Sequence, residues 1–105
     1  MRHSAEWQVL LDDRILEILE EEDRALSPKD IHDILEIEFS QAYIGRRFSR
    51  LAEARLVSKV HPDRALYVID ERGRAYLDEY YNVNAGLYLD ESDGDIGETG
   101  KSSGE

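Results

Sequence analysis

Two helix starts stand close together in this sequence, and together they constrain its fold more than any other feature. Ser27-Pro28-Lys29-Asp30 is the first. The Ser27 hydroxyl can accept from free backbone N–H groups, and Pro28 suits the first helical position because its missing N–H has no partner there. Asp30 sets negative charge against the positive end of the helix dipole. Ile31, Ile34 and Leu35 give this helix an apolar face, and it is expected to end near Glu38. Ser40 marks the second start. Two helices joined by so short a connection form a helix-turn-helix.

The helix after Ser40 is expected over residues 40–54, and its faces separate at about 100° per residue. Ile44, Phe48 and Leu51 fall on one side, whereas Tyr43, Arg46, Arg47 and Arg50 lie on a different arc. One side packs and the other is cationic. Arg47 borders the packed side, where pairing with an acidic residue competes with any external contact. Arg55 falls toward the core side at the helix end and reads as an answer to the helix dipole. Gly45 is expected to permit a close approach between this helix and a neighbour.

The flanking segments complete the architecture. Within residues 5–23, Trp7, Leu10, Leu11, Ile15, Ile18 and Leu19 recur at three- and four-residue spacing. That predicts an amphipathic first helix with Asp12, Asp13, Glu17, Glu20 and Glu21 on its other side. Residues 56–61 and 65–69 are rich in Val, Leu, Ile and Tyr, and Pro62-Asp63-Arg64 supplies the turn of a short hairpin. Asp70 caps a fourth helix expected over residues 71–81, with Ala75, Leu77, Tyr80 and Tyr81 available for packing. Gly73 lowers helix propensity there, which close approach of another backbone would explain. The fold class is therefore α+β, mainly α: a winged helix-turn-helix of three helices, a short β-hairpin wing and a C-terminal helix. The domain is expected over residues 5–82. Residues 83–105, dominated by Gly, Ser, Asp and Glu, are expected to be an acidic and largely disordered tail, with Leu87-Tyr88-Leu89 as a patch able to dock.

Charge is segregated along the chain. Residues 1–39 carry four basic and twelve acidic side chains, residues 40–74 eight and four, and residues 75–105 one and eight, which together give the net charge of −11. The basic block coincides with the third helix and the hairpin, and the local field at a contact governs docking more than total charge. The acidic remainder would suit a protein working in concentrated salt. Absence of cysteine rules out disulfides and thiolate metal sites. His3, His32 and His61 lack metal-ligand spacing, Ser27 and Ser40 have caps to fill, and no glycine-rich phosphate loop is present, so neither an active site nor a cofactor or metal is expected. Met1-Arg2-His3-Ser4 lacks the apolar run of a signal peptide, and no segment approaches membrane-spanning length. The expectation is a cytoplasmic protein.

In a helix-turn-helix the later helix occupies the DNA major groove, and its first two turns can reach base edges. Ser40, Gln41, Ala42, Tyr43, Arg46 and Arg47 stand on those turns. Gln41 can pair with adenine and Arg46 or Arg47 with guanine, while Arg50, one turn on, is better placed for phosphate. His61 and Arg64 at the hairpin tip can reach flanking DNA. The expected partner is double-stranded DNA, bound by a homodimer through Trp7, Leu10, Tyr80, Tyr81 and the 87–89 patch. The rival reading is a winged helix used as a protein–protein adaptor in a transcription assembly, which the acidic first helix and tail favour.

The sequence also resembles the small winged-helix regulators of haloarchaea related to phage repressors, within the broader group that includes MarR-like and ArsR-like regulators. The resemblance rests on Trp7 followed by Asp12-Asp13-Arg14-Ile15-Leu16-Glu17, on Leu26-Ser27-Pro28, and on Tyr43-Ile44-Gly45-Arg46-Arg47. It continues through Leu51-Ala52-Glu53, Leu56-Val57 and Asp70-Glu71-Arg72-Gly73-Arg74-Ala75-Tyr76-Leu77, so that it covers residues 5–80. It implies DNA-binding regulation, a third helix that reads DNA, dimerisation and salt adaptation. The chain departs from it in having Pro62-Asp63-Arg64 where such wings often carry glycine, and in its long acidic tail.

Overall fold

A computed structural model of the chain describes residues 1–36 and 39–89. The elements run α1 (Leu10–Glu22), α2 (Pro28–Leu35), α3 (Gln41–Glu53), β1 (Val57–Lys59), β2 (Tyr67–Ile69), α4 (Glu71–Leu77), β3 (Tyr81–Asn82) and β4 (Leu87–Tyr88). Antiparallel β1 and β2 pair Val57 with Ile69 and Lys59 with Tyr67. Leu26 adds a bridge to Tyr67, exchanging backbone hydrogen bonds of 2.9 Å in both directions, and so ties the α1–α2 loop to the hairpin. This is the expected order of three helices, hairpin and helix.

The caps behave as their chemistry requires. Ser27 Oγ accepts from Asp30 N at 3.1 Å, and Asp30 returns the favour to Ser27 N at 2.9 Å, closing a capping box. Ser40 Oγ accepts from Tyr43 N at 3.0 Å. The apolar faces they start meet in one core: Ile15, Leu16 and Leu19 of α1, Ile31 of α2, Ile44, Phe48 and Leu51 of α3, then Leu56, Val57, Tyr67 and Ile69 of the hairpin segment. Phe48 stacks on Tyr67 with centroids 4.5 Å apart, which fastens α3 to the wing.

Several expectations are corrected. The first helix begins at Leu10, not near residue 5, and residues 1–9 instead form a strap across the domain. His3 bridges Asn82, Arg2 binds Asp13 and Glu17 at 3.3 and 2.7 Å, and the terminal ammonium pairs with Glu79. Leu10 does not pack; it is 90% exposed. Asp12, expected on the polar side, is completely buried. The second helix turns out of α geometry at Glu36, and the expected end at Glu38 lies outside the described residues. The hairpin strands are shorter than expected, three residues each. Arg55 lies beyond the end of α3, exposed and left-handed at φ 62°, not on the core side.

The fourth helix stops at Leu77, short of residue 81, and the chain reverses through Glu79 at φ 70°. Tyr81 then enters a second ribbon, paired with Tyr88 and packed edge-on against it at 4.9 Å. The expected boundary at residue 82 falls inside this ribbon. Its turn is built by Asn82, whose backbone oxygen accepts from Gly86 N and whose side chain accepts from Ala85 N. Tyr76, on α4, donates to Asp13 Oδ1 at 2.6 Å, and burial together with that bond holds its phenol well above the ordinary value. The acidic residues 90–105 lie outside the described part.

Gly45 of α3 and Gly73 of α4 differ. A Cβ on Gly45 would meet Pro28 Cγ at 3.7 Å, an ordinary contact, so no crowding there demands glycine. Gly45→Ala is expected to stabilise the domain by about 0.5–1 kcal/mol, read as a higher urea midpoint, because alanine is the better helix former. An unchanged or lower midpoint would show that α3 requires glycine at this position.

Candidate nucleic-acid interface

The interface is built from the side of α3 that the core leaves open. With Ile44, Phe48 and Leu51 buried, rotation about the helix brings Gln41, Ala42, Arg46 and Ser49 into solvent. Ser40 is exposed as well, but its hydroxyl is engaged in the cap. Tyr43 is half-buried: its ring lies 5.3 Å from Phe39 and 5.6 Å from the Arg46 guanidinium. Phe39, Tyr43 and Arg46 thus form a continuous row at the start of the helix. Helix periodicity does not reach Phe39, whose one sequence signal is its place just before the Ser40 cap, leading into the first turn.

Arg47 and Arg50 stand apart from Arg46. Arg47 donates from Nε to Asp12 Oδ1 at 2.9 Å and from Nη2 to Asp12 Oδ2 at 2.7 Å, with a further bond from Nη2 to Trp7 O at 3.1 Å. The pair is bidentate and nearly dry. The hydrogen bonds it donates to this carboxylate hold the guanidinium pKa above its ordinary value. The Nε and Nη2 donors are thus engaged inside the protein, and the pairing with an acidic residue expected of Arg47 is present. Arg50 lies 3.9 Å from the centre of the Trp7 indole and 3.5 Å from Glu53 Oε1. Trp7, which is also expected at a subunit contact, lies with its ring against the arginines of α3. The stripe pattern sets Trp7 on the apolar side and Asp12 on the polar side, and neither place signals a contact with α3; only the fold brings them there.

The wing adds exposed cations at Lys59 and Arg64. His61 Nδ1 accepts from Asp63 N at 3.0 Å, and Val60 N donates to Leu66 O at 2.9 Å, so the tip is organised without glycine. Of the residues expected at a subunit contact, Leu10 and Tyr80 have open surface, whereas Tyr81 is buried in its own domain. Leu87 and Tyr88, at 63% and 49% exposure, keep open surface while pairing with β3. Among the described residues, no group of three His, Cys, Asp or Glu side chains is placed to hold a metal, and no helix is long and apolar enough to cross a membrane.

Comparison with known proteins agrees with the fold. The family model described as winged helix-turn-helix phage repressor matches residues 1–86. The structure is also similar to the crystal structure of the PhiH1 repressor-like protein from Haloarcula marismortui, with a TM-score of 0.78 and 39% sequence identity. That similarity covers 85% of this chain and 98% of the other. No curated protein is detectably similar.

Proposed function

The chain belongs to the winged helix-turn-helix phage repressor family, and on that premise we propose that it is a sequence-specific, double-stranded DNA-binding transcriptional repressor. In this reading α3 enters the major groove, and two copies act on a two-fold site. The observation that carries it is the division of α3: its apolar face is wholly buried, while Gln41, Ala42 and Arg46 project from the first two turns on a rod of groove width. Tyr43 supports Arg46 from below, Arg50 and Arg64 serve phosphate, and Ser40 acts as cap. Arg47 contributes by fixing α3 to α1. A cytoplasmic location follows from this role.

Two copies are proposed because one short helix offers few base contacts and a pair of half-sites supplies the rest. Leu10, with Tyr80 and the Leu87–Tyr88 ribbon, supplies open apolar surface for a subunit contact. The adaptor reading draws on the same surface and on the acidic flanks, and it parts from the repressor reading at α3.

Fluorescence anisotropy with duplex from the protein's own upstream region, against random duplex, tests the proposal. Tighter binding to the upstream duplex is expected. Arg46→Ala should lose roughly 1–3 kcal/mol mainly at one base position, whereas Arg50→Ala should weaken all sequences alike and lower the salt slope by about 0.9. Equal affinity for both duplexes would remove the specific-repressor reading. Retained DNA binding after charge reversal of Arg46 and Arg50, with loss of a protein partner, would favour the adaptor.

A further inference from the structure

The N-terminal strap ends on α3, and its last aromatic residue lies against a cation assigned to phosphate. We propose that Trp7 is a positioning residue for DNA binding, acting through Arg50. The inference rests on the DNA-binding reading of α3 and extends it to a segment outside the helix-turn-helix.

The geometry is specific. The Arg50 carbon that carries the guanidinium charge is 3.9 Å from the indole centre, a separation that fits face-to-face stacking. A guanidinium held by its face keeps its N–H donors, which lie in its own plane, available to an outside acceptor. The competing Glu53 contact is long, at 3.5 Å, and Glu53 is mostly solvated, so it holds Arg50 weakly. An arginine left free on a helix surface samples many rotamers and loses that freedom when a phosphate orders it. Stacking on Trp7 removes much of that loss before DNA arrives.

Trp7 is itself held from several directions. Its backbone oxygen accepts from Arg47 at 3.1 Å, and the Arg47 guanidinium lies 6.0 Å from the same ring. The turn that presents it is closed by Gln8 N donating to Ala5 O at 3.1 Å and by Ala5 N donating to Gln8 Oε1 at 2.7 Å. Further back, Val83 N donates to His3 O at 2.9 Å, and Arg2 anchors on α1. The platform under Arg50 is thus fixed at one end by the second ribbon and at the other by the Asp12–Arg47 pair.

A double-mutant cycle on DNA binding by the full chain tests the proposal, with duplex from the upstream region as the probe. Trp7→Ala should weaken binding about three- to tenfold in the wild-type background. In the Arg50→Ala background the same change should have no further effect, and Trp7→Phe should retain most of the affinity because a ring remains. Thermal unfolding of each variant identifies any loss of folded protein, and Trp7→Phe keeps the test informative if Trp7→Ala is unstable. Unchanged affinity for Trp7→Ala, an equal loss in both backgrounds, or no effect of Arg50→Ala would overturn the inference. The DNA-binding reading would survive any of these provided the wild-type chain still prefers its upstream duplex, and would itself fail if that preference were absent.

Discussion

Asp12→Ala is expected to destabilise the domain by roughly 3–5 kcal/mol, the usual loss when one partner of a buried ion pair is removed. The carboxylate is fully buried and satisfies two donors of Arg47, whose side chain is itself only 17% exposed. Its Oδ2 also accepts from Val9 N at 3.0 Å, so the substitution strips a cap from α1 in the same step. Urea denaturation followed by circular dichroism measures the loss. Replacing both partners with apolar residues, Asp12→Leu with Arg47→Met, should recover much of it, because no unpaired charge remains. A loss below about 1 kcal/mol for Asp12→Ala would show that the pair is not desolvated as described.

Gly73→Ala should destabilise by about 3 kcal/mol, at the upper end for overpacking. An added Cβ would stand 2.3 Å from Leu56 O and 2.8 Å from Ile69 Cγ1. The first neighbour is backbone that already accepts from Asp70 N at 3.0 Å and cannot swing aside. Relief requires α4 to move off the hairpin, which would disturb the packing of Tyr76 and Ile69. The same measurement on Gly45→Ala should move in the opposite direction, so the two glycines together test the packing of both helices. A neutral Gly73→Ala would mean that α4 sits farther from the hairpin than described.

These two positions also show what the sequence could convey. The close approach at Gly73 is legible, because an unfavourable residue inside a helix calls for a contact to explain it. The caps at Ser27 and Ser40 are legible for the same reason: their chemistry is local, and the three-residue spacing to the bonded N–H is set by helix geometry. So is the split of α3, since Ile44, Phe48 and Leu51 can share only one face.

What is lost is long-range. Asp12 looks like any surface carboxylate until α3 brings Arg47 against it, and Trp7 looks like the start of a stripe because nothing local ends the period before Leu10. The end of α4 is hidden because Tyr80 and Tyr81 continue its apolar pattern, while the left-handed turn at Glu79 is made by a residue that does not advertise it. Asn82 and Gly86 do carry a turn signal, but the composition beyond them resembles a tail and masks a two-residue ribbon. The candidate interface follows the same division. Gln41, Ala42 and Arg46 are placed by helix periodicity alone, whereas the internal role of Arg47 and the support beneath Arg50 depend on tertiary contacts.

The most direct test of the central claim is chemical-shift mapping of the isotopically labelled chain as upstream duplex is added. Amide shifts concentrated on residues 39–50, with weaker changes at 59–64 and near Trp7, are the result expected of a groove-bound α3. Shifts confined to Leu10, Tyr80 and the Leu87–Tyr88 ribbon, with α3 unchanged, would contradict it.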